Sequence, residues 1–253
     1  MSTRRTADIV FCLDSSASMR PCFDAVRKNI GSLIAGLKSD GQTNWDIRFD
    51  FIAYSASEND DGGMVVGLRS LRANGLTLIE TLYGQQPASS IFFTSDVDEF
   101  RSGLSDLKAG GDEASFVALD TALDFPWRDA ASAHRALILL TDEALETGVG
   151  VRQQTELIPA LIEKIHRLRV VLHLVGPTSI AFDQLSAADK SEYTVVDDAQ
   201  HGLANVDFAQ TLAAIGKSIS ASTLQSLPGS RAARRALFGQ DSWSATSAQI
   251  RDE

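Results

Sequence analysis

Short apolar runs alternate with amphipathic segments along the chain. Residues 9–13 (IVFCL) and 136–140 (ALILL) are continuously apolar, which is typical of strands covered on both faces in a parallel sheet. Residues 170–175 and 193–196 predict two further strands. Residues 45–54 alternate between apolar and polar positions, which predicts a strand with one less buried face.

Between these strands, apolar residues recur at helical spacing. The spacing predicts helices over 20–38, 97–107, 115–123, 153–168, 179–190 and 206–221. Asp96 is expected to cap the helix that follows it. The stretch from 64 to 94 is less regular: residues 64–68 and 91–94 each fit a short strand, and 71–90 form an insertion without an assigned structure.

This alternation of strands and helices predicts an α/β fold, a doubly wound, mostly parallel open sheet flanked by helices. We expect one domain over residues 1–225. Residues 226–253 are rich in Ser, Ala, Arg and Gln and lack a convincing period, so they are predicted to form a partly disordered C-terminal tail.

Composition and charge narrow the class of protein. Hydrophobic residues make up 44% of the 253, which excludes a wholly disordered, collagen-like or coiled-coil chain. The 23 Lys and Arg against 33 Asp and Glu leave a net charge of −10, which disfavours nucleic acids and anionic membranes as partners. The first apolar run is too short for a signal peptide or a membrane span. With only Cys12 and Cys22, reduced thiols and a cytoplasmic location are expected.

Polar oxygen donors cluster just past the buried strands, where ligands of such sheets bind. Asp14-Ser15-Ser16-Ala17-Ser18 follows the first strand, Thr141-Asp142 follows a later one, and Gly110-Gly111-Asp112 lies at a helix break. Each fragment alone also fits a helix cap. Together, oxygen donors without Cys or His favour Mg²⁺, with Mn²⁺ or Ca²⁺ as substitutes. The predicted metal ligands are Asp14, Ser16, Ser18, Asp112 and Asp142.

In this order, the three motifs resemble those of a bacterial, intracellular von Willebrand factor type A (vWA) domain with its metal-ion-dependent adhesion site. The resemblance covers residues 7–222 and implies a vWA, Rossmann-like fold. Asp112 stands where the family usually has Thr. This extra carboxylate makes the site more anionic, which disfavours completion of the metal sphere by a partner carboxylate.

The resemblance implies a metal-dependent protein–protein interaction module that acts as a scaffold or adaptor and is not an enzyme. Its implied settings are a MoxR-type AAA+ ATPase or a tellurite-resistance or stress-type system, with an unidentified protein as partner. Two alternatives stay open. One is a Mg²⁺-dependent PIN-like nuclease, against which the negative charge counts. The other is a vWA domain whose metal is purely structural.

Overall fold

The computed structural model describes residues 4–222, except 40, 42–43, 59, 61–63, 72–91, 108–110, 113, 198 and 200. The predicted tail and all but the first residue of the predicted insertion lie outside the described residues. So do Gly110 of the glycine-rich motif and residue 91 of a predicted strand.

Six strands form one sheet in the order β3-β2-β1-β4-β5-β6. Their bounds are β1 (Arg5–Asp14), β2 (Trp45–Glu58), β3 (Met64–Ser70), β4 (His134–Leu140), β5 (Val170–Gly176) and β6 (Ser191–Val195). Strand β1 lies parallel to both β2 and β4, and β5 lies parallel to both β4 and β6. Strand β3 pairs antiparallel with β2 at one edge.

The predicted fold class needs correction because the sheet is mixed. Met64 on β3 stands opposite Glu58 on β2, so the chain reverses within the five residues that separate them. A parallel return requires a crossover of a dozen or more residues, which this connection cannot supply. The doubly wound, mostly parallel sheet of vWA or Rossmann-like type is therefore replaced by a mixed six-stranded α/β sheet.

Seven α-helices are described: α1 (Arg20–Leu37), α2 (Val97–Ser105), α3 (Ser115–Leu123), α4 (Val151–Glu156), α5 (Ile158–Leu168), α6 (Ile180–Leu185) and α7 (Phe208–Ala221). The Asp96 side chain accepts hydrogen bonds from the amides of residues 98 and 99, as predicted. The single helix predicted over 153–168 is two helices, because Pro159 sits in the first turn of α5 and cannot donate to the preceding turn. Among the described helices, none is long and apolar enough to span a membrane.

The core lies on both faces of the sheet, and β1 is buried along its length from Ala7 to Asp14. Val10 and Cys12 pack on the face covered by α3, α5 and α6. Ile9, Phe11 and Leu13 pack on the face covered by α1, α2 and α7. Each large apolar side chain buried in this way contributes about 1.5–3 kcal/mol.

Helices α1 and α7 approach each other through glycine. A Cβ atom at Gly36 on α1 would lie 2.2 Å from the carbonyl oxygen of Ala213. A Cβ atom at Gly216 on α7 would lie 2.2 Å from the carbonyl oxygen of Leu33. Both obstacles are main-chain atoms that no side-chain rotation removes, so the helix spacing requires hydrogen at both positions.

Gly36→Ala is therefore expected to lower the free energy of unfolding by about 1–3 kcal/mol, because the helices must move apart. Gly31→Ala, on the same helix with nothing within 4 Å, is the matched control and should raise stability by up to about 1 kcal/mol through helix propensity. Urea denaturation of both variants measures the difference. Equal stabilities for the two variants would contradict the close approach.

A buried carboxylate, Asp8, lies near the start of β1 and is fully removed from solvent. Arg48 donates to it through Nε at 2.9 Å and Nη2 at 2.6 Å. Arg128 donates through Nε at 2.7 Å and through its backbone amide at 2.7 Å. Burial by itself would raise the pKa of Asp8, but the hydrogen bonds from these two arginines outweigh it and lower the pKa.

Because the folded-state pKa of Asp8 lies below its unfolded value of about 3.9, the carboxylate stabilises the fold above that pH and ceases to do so as pH falls through the folded value. Asp8→Asn should lower stability at pH 7 by about 3 kcal/mol, since partly buried Arg48 loses its carboxylate partner and Arg128 loses one of its two, Asp46 being the other. It should also flatten the loss of stability below pH 4. Asp24→Asn, at a carboxylate whose side chain is 63% exposed, is the control and should change neither. Thermal melts from pH 2 to 7 provide the comparison.

Candidate functional site

The predicted ligands lie along one edge of the sheet. Strands β1, β4, β5 and β6 are parallel, so their carboxyl ends meet at the same edge. We call the segments that follow them, residues 15–19, 141–147, 177–180 and 196–207 except 198 and 200, the carboxyl edge. The pairing of Leu13 with Leu140 places Asp14, the last residue of β1, close in register to Asp142, which lies two residues past the end of the neighbouring strand β4.

The loop after β1 is held by hydrogen bonds among its own residues and to β2. Asp14 is buried, and its Oδ1 accepts the backbone amide of Ser16 at 2.6 Å. The amide and the hydroxyl of Ser15 both donate to the carbonyl oxygen of Tyr54, at 2.8 and 2.7 Å. The hydroxyl groups of Ser16 and Ser18 lie 2.9 Å apart. The structure therefore brings Asp14, Ser16 and Ser18 into one turn, as the sequence predicts.

Asp142 holds a second loop against that turn. Its Oδ2 accepts the backbone amide of Gly202 at 2.8 Å. Gly202 has a φ of +71°, and a Cβ atom there would lie 2.1 Å from the carbonyl oxygen of Ser18. Only glycine fits this position, because both the backbone conformation and the close approach exclude a side chain. Sequence reasoning missed Gly202, and a lone glycine in a polar loop carries no local signal for such a contact.

The thiol of Cys22, in the first turn of α1, is buried beside the carboxyl edge. Burial raises the pKa of Cys22 well above its ordinary value, and the charges of Asp14 and Asp142 raise it further. Cys12, within β1, is also buried, and burial raises the pKa of its thiol as well. Both cysteines are free, as expected for thiols in a packed core.

Asp112 reaches the same edge by a different route. Its backbone forms an isolated antiparallel bridge with Ala56, with N–O distances of 2.6 and 2.7 Å. Ala56 belongs to the part of β2 that runs past Tyr54, the partner of Asp14. Asp112 is exposed, whereas Asp14 and Asp142 are buried. The third carboxylate is therefore attached to β2 and differs from the other two in its environment.

The predicted adhesion-site arrangement needs correction at this point. Within the described part of the chain, no three His, Cys, Asp or Glu side chains are grouped so that they could hold a metal ion. Asp14 and Asp142 accept backbone amides, so their oxygens brace loops. The assignment of Asp14, Ser16, Ser18, Asp112 and Asp142 as individual ligands, and of Mg²⁺ with Mn²⁺ or Ca²⁺ as substitutes, stays a prediction from the sequence that calorimetric titration would test.

A second braced segment, after β5, was not predicted. The carboxylate of Glu146 accepts the backbone amide of Ala181 at 2.8 Å. Burial would raise the pKa of Glu146, but this and other hydrogen bonds to the segment outweigh it and lower the pKa. The hydroxyl of Ser179 accepts the amide of Phe182 at 3.2 Å, and the hydroxyl of Tyr193 donates to the carbonyl oxygen of Pro177. The carboxyl edge is thus a set of loops held by side chains.

Comparison with known proteins does not assign the chain to a family. No family model matches the chain, and no curated protein matches it. A D319A mutant of the PilB minor pilin from Streptococcus sanguinis is similar in structure, with 11% identity, a TM-score of 0.52, and coverage of 87% of this chain and 62% of that one. The chain therefore spans less than two thirds of that pilin.

Two further solved structures are similar at lower scores. The pilus adhesin SpaC from Lactobacillus rhamnosus GG, in its open conformation, has 14% identity and a TM-score of 0.47, with coverage of 87% of this chain and 30% of that one. Proximal thread matrix protein 1 from the mussel byssus has 13% identity and a TM-score of 0.45, with coverage of 86% and 48%. At these identities the likeness concerns the fold.

These findings overturn the family assignment made from the three motifs. The structure that is similar with a TM-score above 0.5 is described as a minor pilin, and no family model supports a vWA domain. The predicted metal-dependent adaptor, with its MoxR-type or tellurite-resistance setting, is corrected on the same ground. Its two alternatives, a PIN-like nuclease and a vWA domain with a structural metal, are given up with it.

The bond from Gly202 to Asp142 makes a testable contribution to stability. Asp142→Ala should lower the free energy of unfolding by about 1.5–3 kcal/mol, because a buried amide loses a charged acceptor. Glu143→Ala removes the exposed neighbouring carboxylate and should change stability by less than about 0.5 kcal/mol. Chemical denaturation, together with amide exchange at Gly202, measures both. Unchanged exchange at Gly202 in Asp142→Ala would contradict the bracing role.

Proposed function

We propose that the chain is a non-catalytic protein-binding domain of the kind found in pilus-associated and adhesive proteins, and that it binds its partner with the carboxyl edge. The observation that carries the proposal is the bracing of this edge. Asp14, Asp142 and Glu146 each accept a backbone amide and thereby hold three loops in place. Loops held in this way form a surface that binds with little loss of conformational entropy.

The use of these carboxylates also supports a binding role over a catalytic one. A general base or a nucleophile has to be within reach of a substrate and to change its protonation state during turnover. Asp14 and Asp142 are buried, and Asp14, Asp142 and Glu146 each accept a backbone amide, so all three carboxylates support the main chain. The fold shared with a minor pilin supports the same proposal.

Site-specific photo-crosslinking tests where the partner binds. A photoreactive residue in place of exposed Thr178, at the carboxyl edge, should yield several times more protein adduct in the lysate of the source cells than one in place of Ala131. Ala131 is the control because it is also exposed and lies before β4, at the opposite edge of the sheet. Equal yields at the two positions, or none at Thr178, would overturn the proposal.

The cellular location is a separate question. The cytoplasmic location expected from the sequence stays a prediction, and fractionation of the source cells with an antibody against the chain would test it. A cell-surface fraction would leave the binding proposal intact and correct the location alone.

A further inference from the structure

Ile180 is the most exposed of the large hydrophobic side chains in the described residues. It opens helix α6 at the carboxyl edge and is 71% exposed, against 53% for Val65 on β3 and 43% for Val195 at the end of β6. A single exposed apolar side chain is ordinary by itself. What distinguishes Ile180 is the way in which its backbone is held.

The segment around Ile180 is fixed from three directions. Glu146, from the loop after β4, accepts the amide of Ala181 at 2.8 Å. The hydroxyl of Ser179 accepts the amide of Phe182, and Tyr193 on β6 donates to the carbonyl oxygen of Pro177. The rings of Phe182 and Tyr193 lie edge to face at 6.0 Å. The backbone under Ile180 is therefore rigid while its side chain projects into solvent.

The charges around this segment are negative. Glu146 and Asp183 are both exposed. Glu146 accepts the amide of Ala181, the residue after Ile180, and Asp183 lies with Ile180 in the first turn of α6. Burial, together with the charges of Glu146 and Asp183, raises the pKa of Tyr193 to about 12. Arg152 on helix α4, which precedes α6 in the chain, is paired with Glu156 at 2.9 Å. Ile180 is thus an exposed apolar side chain in a part of the surface that also presents two carboxylates.

We propose that Ile180 is the anchor of the binding surface and that its partner is a protein segment whose apolar face is flanked by Lys or Arg. This inference rests on the proposed function and names the partner chemistry of the same edge. Binding buries the Ile180 side chain, and the flanking cations meet Glu146 and Asp183. At protein interfaces a few buried side chains near the centre contribute most of the binding energy, and complementary charges at the rim contribute mainly to specificity and to the association rate.

Two synthetic amphipathic helical peptides with the same leucine face test the partner chemistry, one flanked by Lys and the other by Glu. The Lys-flanked peptide should bind and shift the amide resonances of residues 143–147, 178–183 and 193–195. Its affinity should fall as salt rises, because the rim charges are screened. The Glu-flanked peptide should bind at least tenfold more weakly. Equal binding of the two peptides, or binding of neither, overturns the inference.

Variants of the chain test the anchor itself. Ile180→Ser should weaken binding of the Lys-flanked peptide at least tenfold, whereas Val65→Ser, at the second most exposed of these apolar residues, should leave its affinity unchanged. Asp183→Asn should weaken binding severalfold and reduce its salt dependence. If Ile180→Ser has no effect while crosslinking still occurs at Thr178, the anchor is wrong and the proposed function stands. If crosslinking at Thr178 is also absent, the proposed function fails.

Discussion

The structure depends on the complete burial of β1. This strand is covered on both faces from Ala7 to Asp14 and pairs with β2 on one side and β4 on the other, so each neighbouring element takes its position from it. A strand in that environment has to satisfy every polar group without water. Strand β1 carries a carboxylate near each end, Asp8 and Asp14. The way in which each is satisfied determines the chemistry of the two edges of the sheet.

At the start of β1 the buried carboxylate is satisfied by ion pairs. Asp8 accepts two side-chain hydrogen bonds from Arg48 on β2 and further bonds from Arg128 before β4, so one carboxylate joins three segments of chain. At the end of β1 the carboxylates accept hydrogen bonds from main-chain amides. Asp14 accepts the amide of Ser16, and beyond β4 Asp142 accepts the amide of Gly202. The same residue type thus serves as an ion pair at one edge and as a loop brace at the other.

This difference explains why a motif of oxygen donors does not by itself establish a metal centre. Carboxylates and hydroxyls after strands are suited to hard cations, but they are equally suited to capping amides. The choice depends on whether an amide lies within about 3 Å of each oxygen, and that depends on loops far away in sequence, such as the loop of Gly202. A braced carboxyl edge presents a fixed surface, and on it Ile180 combines a held backbone with an exposed side chain.

Most of the local structure could be predicted from the sequence. Continuous apolar runs at 9–13 and 136–140 indicated buried strands, residues 170–175 indicated a further strand, and helical spacing indicated helices α1, α2, α3 and α7. Asp96 was identified as a cap because its hydrogen bonds join neighbours in the chain. These features follow from interactions within a few residues, so a single segment contains the information.

The remaining features could be read only from the folded chain. The antiparallel pairing of β3, the contact of Gly202 with Ser18, and the exposure of Ile180 each depend on segments that are distant in sequence. The periodicity of a segment predicts that it has an apolar face but does not give the orientation of a neighbouring strand or the direction of a carboxylate. Those are set by which backbone atoms the folded chain brings within hydrogen-bonding distance.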